Sequence, residues 1–211
     1  MQEEALIKKN CSVIIPAAGN SSRMGKAKFA LAFNNRHSFI EEIVAQYQSF
    51  GCNKIVVVFN KKGKELFDRK FPHLNKTIIS IINPEQDSER FYSLQLGLKH
   101  IQNSPFVFIH NVDNPFVKIS ILDKLFSHRN DAAIIKPTFK QKGGHPVLVS
   151  DKITKQIIEK EKTDLILSNF LKLFDTKKIA VNDNSILINI NTTDEYESLI
   201  RDVKNLSSNS G

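Results

Sequence analysis

Ser12-Val13-Ile14-Ile15-Pro16-Ala17-Ala18-Gly19-Asn20-Ser21-Ser22-Arg23-Met24-Gly25-Lys26-Ala27-Lys28 joins an apolar run to a stretch of small, polar and basic residues. An apolar run that stops at small residues reads as a buried strand emptying into a loop. Gly19 and Gly25 let the backbone approach a ligand closely, Ser21 and Ser22 bring hydroxyls, and Arg23, Lys26 and Lys28 bring charge. Such a loop suits a polyanion, and phosphate is the first candidate.

Two widespread phosphate loops do not fit. Walker A places four residues between its glycines and a Ser or Thr after its Lys. Here five residues separate Gly19 from Gly25, and Ala27 follows Lys26. The dinucleotide-binding G-x-G-x-x-G needs glycines where Ser21 and Met24 stand.

Outward from this loop, apolar runs of strand length at residues 54–59, 77–82, 106–110 and 132–136 continue the series begun at residues 12–17. Helical patterns lie between them. Ser38 and Glu41 form a capping box opening a helix to about Phe50, and Phe91, Leu94, Leu98 and Ile101 share one helical face. Farther on, residues 145–149 read as a short strand, 152–161 and 165–174 as helices, and 185–190 as a last strand. Thr192 and Glu195 form the capping box of a terminal helix. Strands apolar on both faces, alternating with helices, predict an α/β fold: a single three-layer αβα Rossmann-like domain with a mostly parallel sheet. No repeat or linker divides the 211 residues, so residues 1–206 read as one domain and 207–211 as a flexible tail. In such sheets ligands bind beyond the carboxyl ends of the strands, where strand order reverses.

The net charge of +8 is spread along the chain rather than gathered in one arm interleaved with aromatics. That distribution weighs against nucleic acid and is compatible with polyphosphate substrates. No run is long enough to cross a membrane, and the first ten residues hold no apolar signal core, so the expected location is the cytoplasm. Cys11 and Cys52, without C-x-x-C spacing, are expected to be inert core thiols.

Residues Ala17 through Lys28 follow the pattern A-A/G-G-x-S/G-x-R-M/F-G-x-x-K. In this the chain resembles the MobA-like NTP transferases, a nucleotidyltransferase superfamily. It includes molybdenum cofactor cytidylyl- and guanylyltransferases, methylerythritol-phosphate cytidylyltransferases and many sugar-nucleotide pyrophosphorylases. The resemblance implies a fold of the nucleotide-diphospho-sugar transferase type. It also implies a loop, here Ala17, Ala18, Gly19, Asn20, Ser21, Ser22, Arg23, Gly25 and Lys28, that wraps the base, ribose and triphosphate of an NTP. The family's D-x-P aspartate, which binds Mg²⁺ with Mn²⁺ as a substitute, is matched by Asp113 in Asp113-Asn114-Pro115. Without the loop motif, the residues alone would favour reading Asp113 as a turn-initiating Asx ahead of Pro115. Asn189-Ile190-Asn191-Thr192-Thr193-Asp194 resembles the family's N/D-x-N/D-T-P-x-D run, with Thr193 in place of Pro. A second, neutral metal ligand falls to Asn191 at the strand's end or to Asn189 on the same face, with Thr192 capping the helix in either case.

Arg90 and Ser93 stand in the R-x-x-S-V/L-x-x-G-L spacing that cytidylyltransferases place beside the base, which implies nucleotide contacts for both. An ordinary helical Ser93 and a packing Gly97 are the alternative. Ala17-Ala18-Gly19 follows the A-A-G of cytidylyl members rather than the A-G-G of guanylyl members, which favours CTP. Gly144-His145-Pro146 resembles the G-H-P element of molybdenum cofactor cytidylyltransferases, placing Gly144 and His145 on the acceptor side, with His145 in a positioning role.

The resemblance as a whole implies transfer of CMP from CTP to an acceptor phosphate, with molybdopterin-like acceptors favoured and pyrophosphate released. Lys28 would stabilise the α-phosphate, Arg23 would hold the β- and γ-phosphates, and Asp113 would place the metal. Lys162-Thr163-Asp164-Leu165 stands where a G-D-x-G-x-R segment would follow, and His110-Asn111-Val112-Asp113-Asn114-Pro115 lacks the Arg of the methylerythritol-phosphate enzymes' H-D-A-A-R-P. Methylerythritol phosphate and sugar phosphates therefore stay open as acceptors. The non-enzyme alternative is a catalytically silent nucleotide-binding regulatory domain, against which Arg23, Lys28 and Asp113 stand together.

Overall fold

The computed structural model describes residues 8–19, 24–85, 90–161 and 166–208. Its strands are β1 (Lys9–Ala17), β2 (Cys52–Phe59), β3 (Ile79–Ile82), β4 (Phe106–Ile109), β5 (Ile134–Phe139), β6 (Lys142–Gly143), β7 (Val147–Ser150) and β8 (Thr176–Ala180). They form one sheet in the order β3-β2-β1-β4-β7-β5-β6, with β8 also paired to β5. β3, β2, β1 and β4 run parallel, β7 is antiparallel to both β4 and β5, and β8 is parallel to β5.

Alternation along β1 and β2 sets the layers. Val13 and Ile15 of β1 join Ile55, Val57 and Phe59 of β2 on one face, whereas Ile14 joins Val56 and Val58 on the other. With both faces apolar, each needs a cover of helices. The first face packs against α1 (Phe39–Phe50), α2 (Lys61–Lys70) and α4 (Ile119–Ser127) through Ile43, Phe67 and Leu122. The second packs against α3 (Arg90–Leu98), α5 (Asp151–Glu159) and α6 (Leu167–Leu171) through Leu94, Ile157 and Phe170. Each such side chain, fully buried, contributes about 1.5–3 kcal/mol. A smaller cluster, Leu31, Phe39, Ile190 and Leu199, seats α7 (Thr193–Ser208) against the start of α1.

Local chemistry fixes the helix ends. Ser38 Oγ accepts from Glu41 N while Glu41 Oε2 accepts from Ser38 N, the expected capping box, and Gly51 ends α1 in the left-handed conformation at φ 93°. Gly97 of α3 faces the sheet so closely that a Cβ would stand 3.1 Å from Val58 and 3.2 Å from Ile14, so its packing role holds. Cys11 and Cys52 lie buried with sulfurs 3.5 Å apart, and the neighbouring thiol and burial push Cys52 far up, keeping it protonated.

The expected strand over residues 185–190 is not there. Residues Asn184–Leu187 form a 3₁₀ turn, and residues 188–190 carry no ladder. Side chains and a neighbouring amide claim this backbone instead: Asp183 Oδ1 accepts from Ser185 N, Asn114 Nδ2 donates to the carbonyls of Ser185 and Ile186, and His145 N donates to Ile186 O. The last strand is β8, earlier in the chain. Residues 165–174 are helical only over Leu167–Leu171, and α7 runs to Ser208, two residues into the expected tail; residues 209–211 lie outside the described residues. Among the described residues no helix is long and apolar enough to cross a membrane.

Candidate active site

The chain leaves β1 toward β2 on one side, and β4 is followed on the other side by β7, so strand order reverses between the carboxyl ends of β1 and β4. A doubly wound sheet leaves a crevice at such a point. Here it is a cleft of about 720 Å³.

Three segments meet at its floor. Lys28, opening a 3₁₀ turn after β1, donates from Nζ to Asn191 Oδ1 at 2.6 Å and lies 3.6 Å from Asp113 Oδ2. Ile190 N donates to Asp113 O at 2.8 Å, tying the segment before α7 to the turn after β4. Glu195 Oε2 accepts from Asn191 N and Thr192 N, and Glu195 N donates to Thr192 Oγ1, so the expected capping box also holds Asn191 in place. The Asn191 amide, followed by that of Thr192, lowers the Glu195 carboxyl below its usual range.

Asp113 Oδ1 is buried and has no hydrogen-bond partner among the described residues. A bare buried carboxylate oxygen is costly unless a cation reaches it. Asp113 and Asn191 together offer one anionic and one neutral hard oxygen, and among the described residues no group of three or more His, Cys, Asp or Glu forms a closed cage. This donor set fits Mg²⁺ or Mn²⁺, which take few protein oxygens and complete their shell with phosphate and water.

Beneath the turn after β4 sits His110, 0% exposed. Its Nε2 donates to Asn114 O at 2.7 Å, because a carbonyl can only accept, and its Nδ1 accepts from Tyr47 Oη at 3.0 Å. Burial brings its pKa down to about 4, so it stays neutral while it holds the turn that carries Asp113.

On the β1 side of the cleft, Asn60 caps α2 by accepting from Gly63 N and donates from Nδ2 to Ala18 O at 2.9 Å. Asn83 Nδ2 donates to the buried Ser93 Oγ at 2.9 Å. Gly25 takes φ +60°, a conformation that favours glycine. On the other side, Arg90 Nη1 donates to Asn111 Oδ1 at 3.1 Å, and Asn111 Nδ2 donates to His145 Nε2 at 2.9 Å. Burial, with Arg90 and Lys136 adding to it, brings His145 down to about 4.

Of the residues singled out from sequence, Ala17, Ala18, Gly19, Gly25, Lys28, Arg90, Ser93, Asp113 and Asn191 all line this cleft. Asn20, Ser21, Ser22 and Arg23 lie outside the described residues. Asn189 is not in the lining, although its Oδ1 is buried without a partner among the described residues. Gly144 and His145 are also absent from the lining, and Gly144 has a packing duty: a Cβ there would lie 2.4 Å from Ile186 O. Asn60 and Asn83 were missed. Asn60 had a legible signal, since an Asn directly after a strand-like run is a candidate helix cap.

Residues 13–172 match the family model described as MobA-like NTP transferase domain. The chain is 30% identical over 183 residues to the molybdenum cofactor cytidylyltransferase of Escherichia coli (strain K12), covering 87% of this chain and 92% of that protein. It is 25% identical over 211 residues to a probable molybdenum cofactor guanylyltransferase of Clostridium perfringens (strain ATCC 13124), covering 93% and 98%. Among solved structures, the homologue of Mycobacterium tuberculosis Rv0371c from Mycobacterium sp. strain JC1 superposes with a TM-score of 0.79 at 19% identity, covering 95% of this chain and 100% of that one. With the family model spanning well over half its length, the chain belongs to the MobA-like NTP transferase family and is a nucleotidyltransferase.

Proposed function

We propose that this protein is a Mg²⁺-dependent cytidylyltransferase that moves CMP from CTP to the phosphate of a small-molecule acceptor and releases pyrophosphate. The observation that carries this reading is the meeting of Lys28, Asp113 and Asn191 at the switch point, around a buried carboxylate oxygen without a partner among the described residues. CTP is supported by Ala17-Ala18-Gly19 and by the cytidylyltransferase relative at 30% identity. The same relative and the Gly144-His145-Pro146 element favour a molybdopterin-like acceptor.

The acceptor phosphate is already ionised near neutral pH, so no general base is needed. One of its oxygens attacks the α-phosphorus; the new P–O bond forms as the bond to the β-bridging oxygen breaks, and pyrophosphate leaves with that electron pair. The protein's work is positioning and charge stabilisation. Lys28 stabilises charge developing on the α-phosphate, and Arg23 holds the β- and γ-phosphates. Asp113 and Asn191 would hold Mg²⁺, which when bound would supply positive charge against that of the phosphates. Ser93, oriented by Asn83, presents a hydroxyl to the cytosine edge, and His145 positions the acceptor.

A pyrophosphate-release screen tests this: each NTP against molybdopterin, methylerythritol phosphate and sugar phosphates, with and without Mg²⁺. The expected result is release with CTP, Mg²⁺ and one acceptor. Release with GTP alone would reassign the base. No release from any pair, alongside tight CTP binding, would leave the silent nucleotide-binding domain as the reading.

A further inference from the structure

In-line displacement puts the attacking and leaving oxygens on opposite sides of the reacting phosphorus. If the loop after β1 holds the leaving pyrophosphate, the acceptor must approach from the other flank of β4, and this step rests on the transferase reading above. That flank is defined by register. Ile109, at the end of β4, pairs with Val147, and Leu148 of β7 pairs with Ile135 of β5, so His145 and Lys136 come to the same end of the sheet as Asp113.

The groups there share one electrostatic character. Arg90 can only donate, so Asn111 turns Oδ1 toward it and Nδ2 toward His145. His145 Nε2 must then accept, which puts the ring proton on Nδ1, a buried nitrogen with no partner among the described residues. Lys136 crosses directly over Gly143: a Cβ there would stand 2.5 Å from Lys136 Cε and 2.9 Å from its Nζ. Among the described residues Lys136 has no carboxylate partner. Both Arg90 and Lys136 lie near enough to His145 to disfavour its protonation. Two cations and an orphaned N–H donor, with no anion among them, make a complement to a phosphate monoester, which carries about two negative charges at neutral pH.

We propose that Arg90, at the edge of the nucleotide cleft and turned to the acceptor rather than to the nucleotide, joins Lys136 and His145 in the binding site for the acceptor's phosphate monoester, distinct from the triphosphate loop, with Gly143 kept bare so that Lys136 can reach it. Inorganic phosphate is the probe, titrated calorimetrically into the full chain with tripolyphosphate present to fill the loop after β1. Lys136→Ala should weaken phosphate binding about tenfold, and Lys136→Arg should keep it within about threefold. Gly143→Ala, whose conflict is only with the far end of a flexible side chain, should fold and weaken phosphate binding about threefold. Tripolyphosphate affinity should hold within about twofold in every variant. Unchanged phosphate affinity in Lys136→Ala, or an equal loss of tripolyphosphate affinity, would overturn the site whatever the activity. Absence of pyrophosphate release with every donor and acceptor would instead overturn the transferase reading, and with it the acceptor assignment, even if Lys136→Ala still weakened phosphate binding.

Discussion

The two flanks of β4 are built by different means. On one side, β1, β2 and β3 run parallel under helices on both faces, and the site takes much of its lining from one continuous loop after β1. On the other side, β7, β5, β6 and β8 mix directions, and the proposed acceptor contacts come from single side chains on the β4 turn, the start of α3, β5 and the segment before β7. On the proposed reading, a ligand shared by many enzymes would be held by backbone and a fixed motif, and an acceptor particular to one enzyme by scattered side chains. The glycines show the same division. Among the described residues a Cβ on Gly19 would meet nothing within 4 Å, which leaves room beside it, but a Cβ on Gly144 would strike Ile186 backbone.

The largest expected effect tests where the two flanks meet. Asp113→Asn removes the anionic oxygen beside Lys28 and should lower kcat/KM for pyrophosphate release by about a thousandfold while the protein still unfolds cooperatively. A loss under tenfold would move the metal elsewhere.

His110 gives the next effect, in stability. Its pKa lies near 4 in the fold against 6.5 as the ordinary value, so the unfolded chain binds the extra proton between those values. Stability is therefore full above about pH 6.5 and is lost as pH falls toward 4, by on the order of 3 kcal/mol. His110→Gln, which can keep both hydrogen bonds, should flatten that part of a pH series of urea denaturations. An unchanged acid slope would mean that His110 does not carry it.

The two glycines compare the flanks directly. Gly144→Ala should cost about 1–3 kcal/mol in denaturant unfolding. Gly19→Ala should change stability by under about 0.5 kcal/mol but raise KM for CTP about tenfold, because backbone and phosphate can no longer approach closely. Equal stability losses would remove the distinction between the flanks. Asn60→Ala is the mildest change: about 1 kcal/mol for the lost helix cap, with a rise of about threefold in KM for CTP as the Ala18 carbonyl loses its partner.

The β1 flank was largely legible in the sequence. Ser12 through Ile15 announces a strand buried on both faces, Ser38 and Glu41 announce α1, and the chemistry lies within twelve consecutive residues from Ala17 to Lys28. What hid there was α2, whose Lys61–Lys70 sequence is mostly charged and buries only Gly63 and Phe67. On the other flank, β8 escaped notice because Lys177 and Lys178 are exposed and Ile179 alone is buried. Residues 185–190 are mostly apolar and of strand length, yet Asp183, Asn114 and His145 take their backbone groups, and of these Asn114 and His145 come from far along the chain. α4 was readable, since Ile121, Leu122 and Leu125 share a helical face, but it went unclaimed beside the stronger strand signals. Asp113, Asn191 and Lys28 were named one by one, and only the fold brings them within reach of one another.

The most direct test of the central claim is steady-state pyrophosphate release by Lys28→Ala with CTP, Mg²⁺ and the acceptor. A lysine acting on charge that develops at the α-phosphate predicts a fall in kcat of about a hundred- to a thousandfold, with KM for CTP moved by less than about threefold. Wild-type turnover, or a raised KM with kcat unchanged, would contradict that role for Lys28.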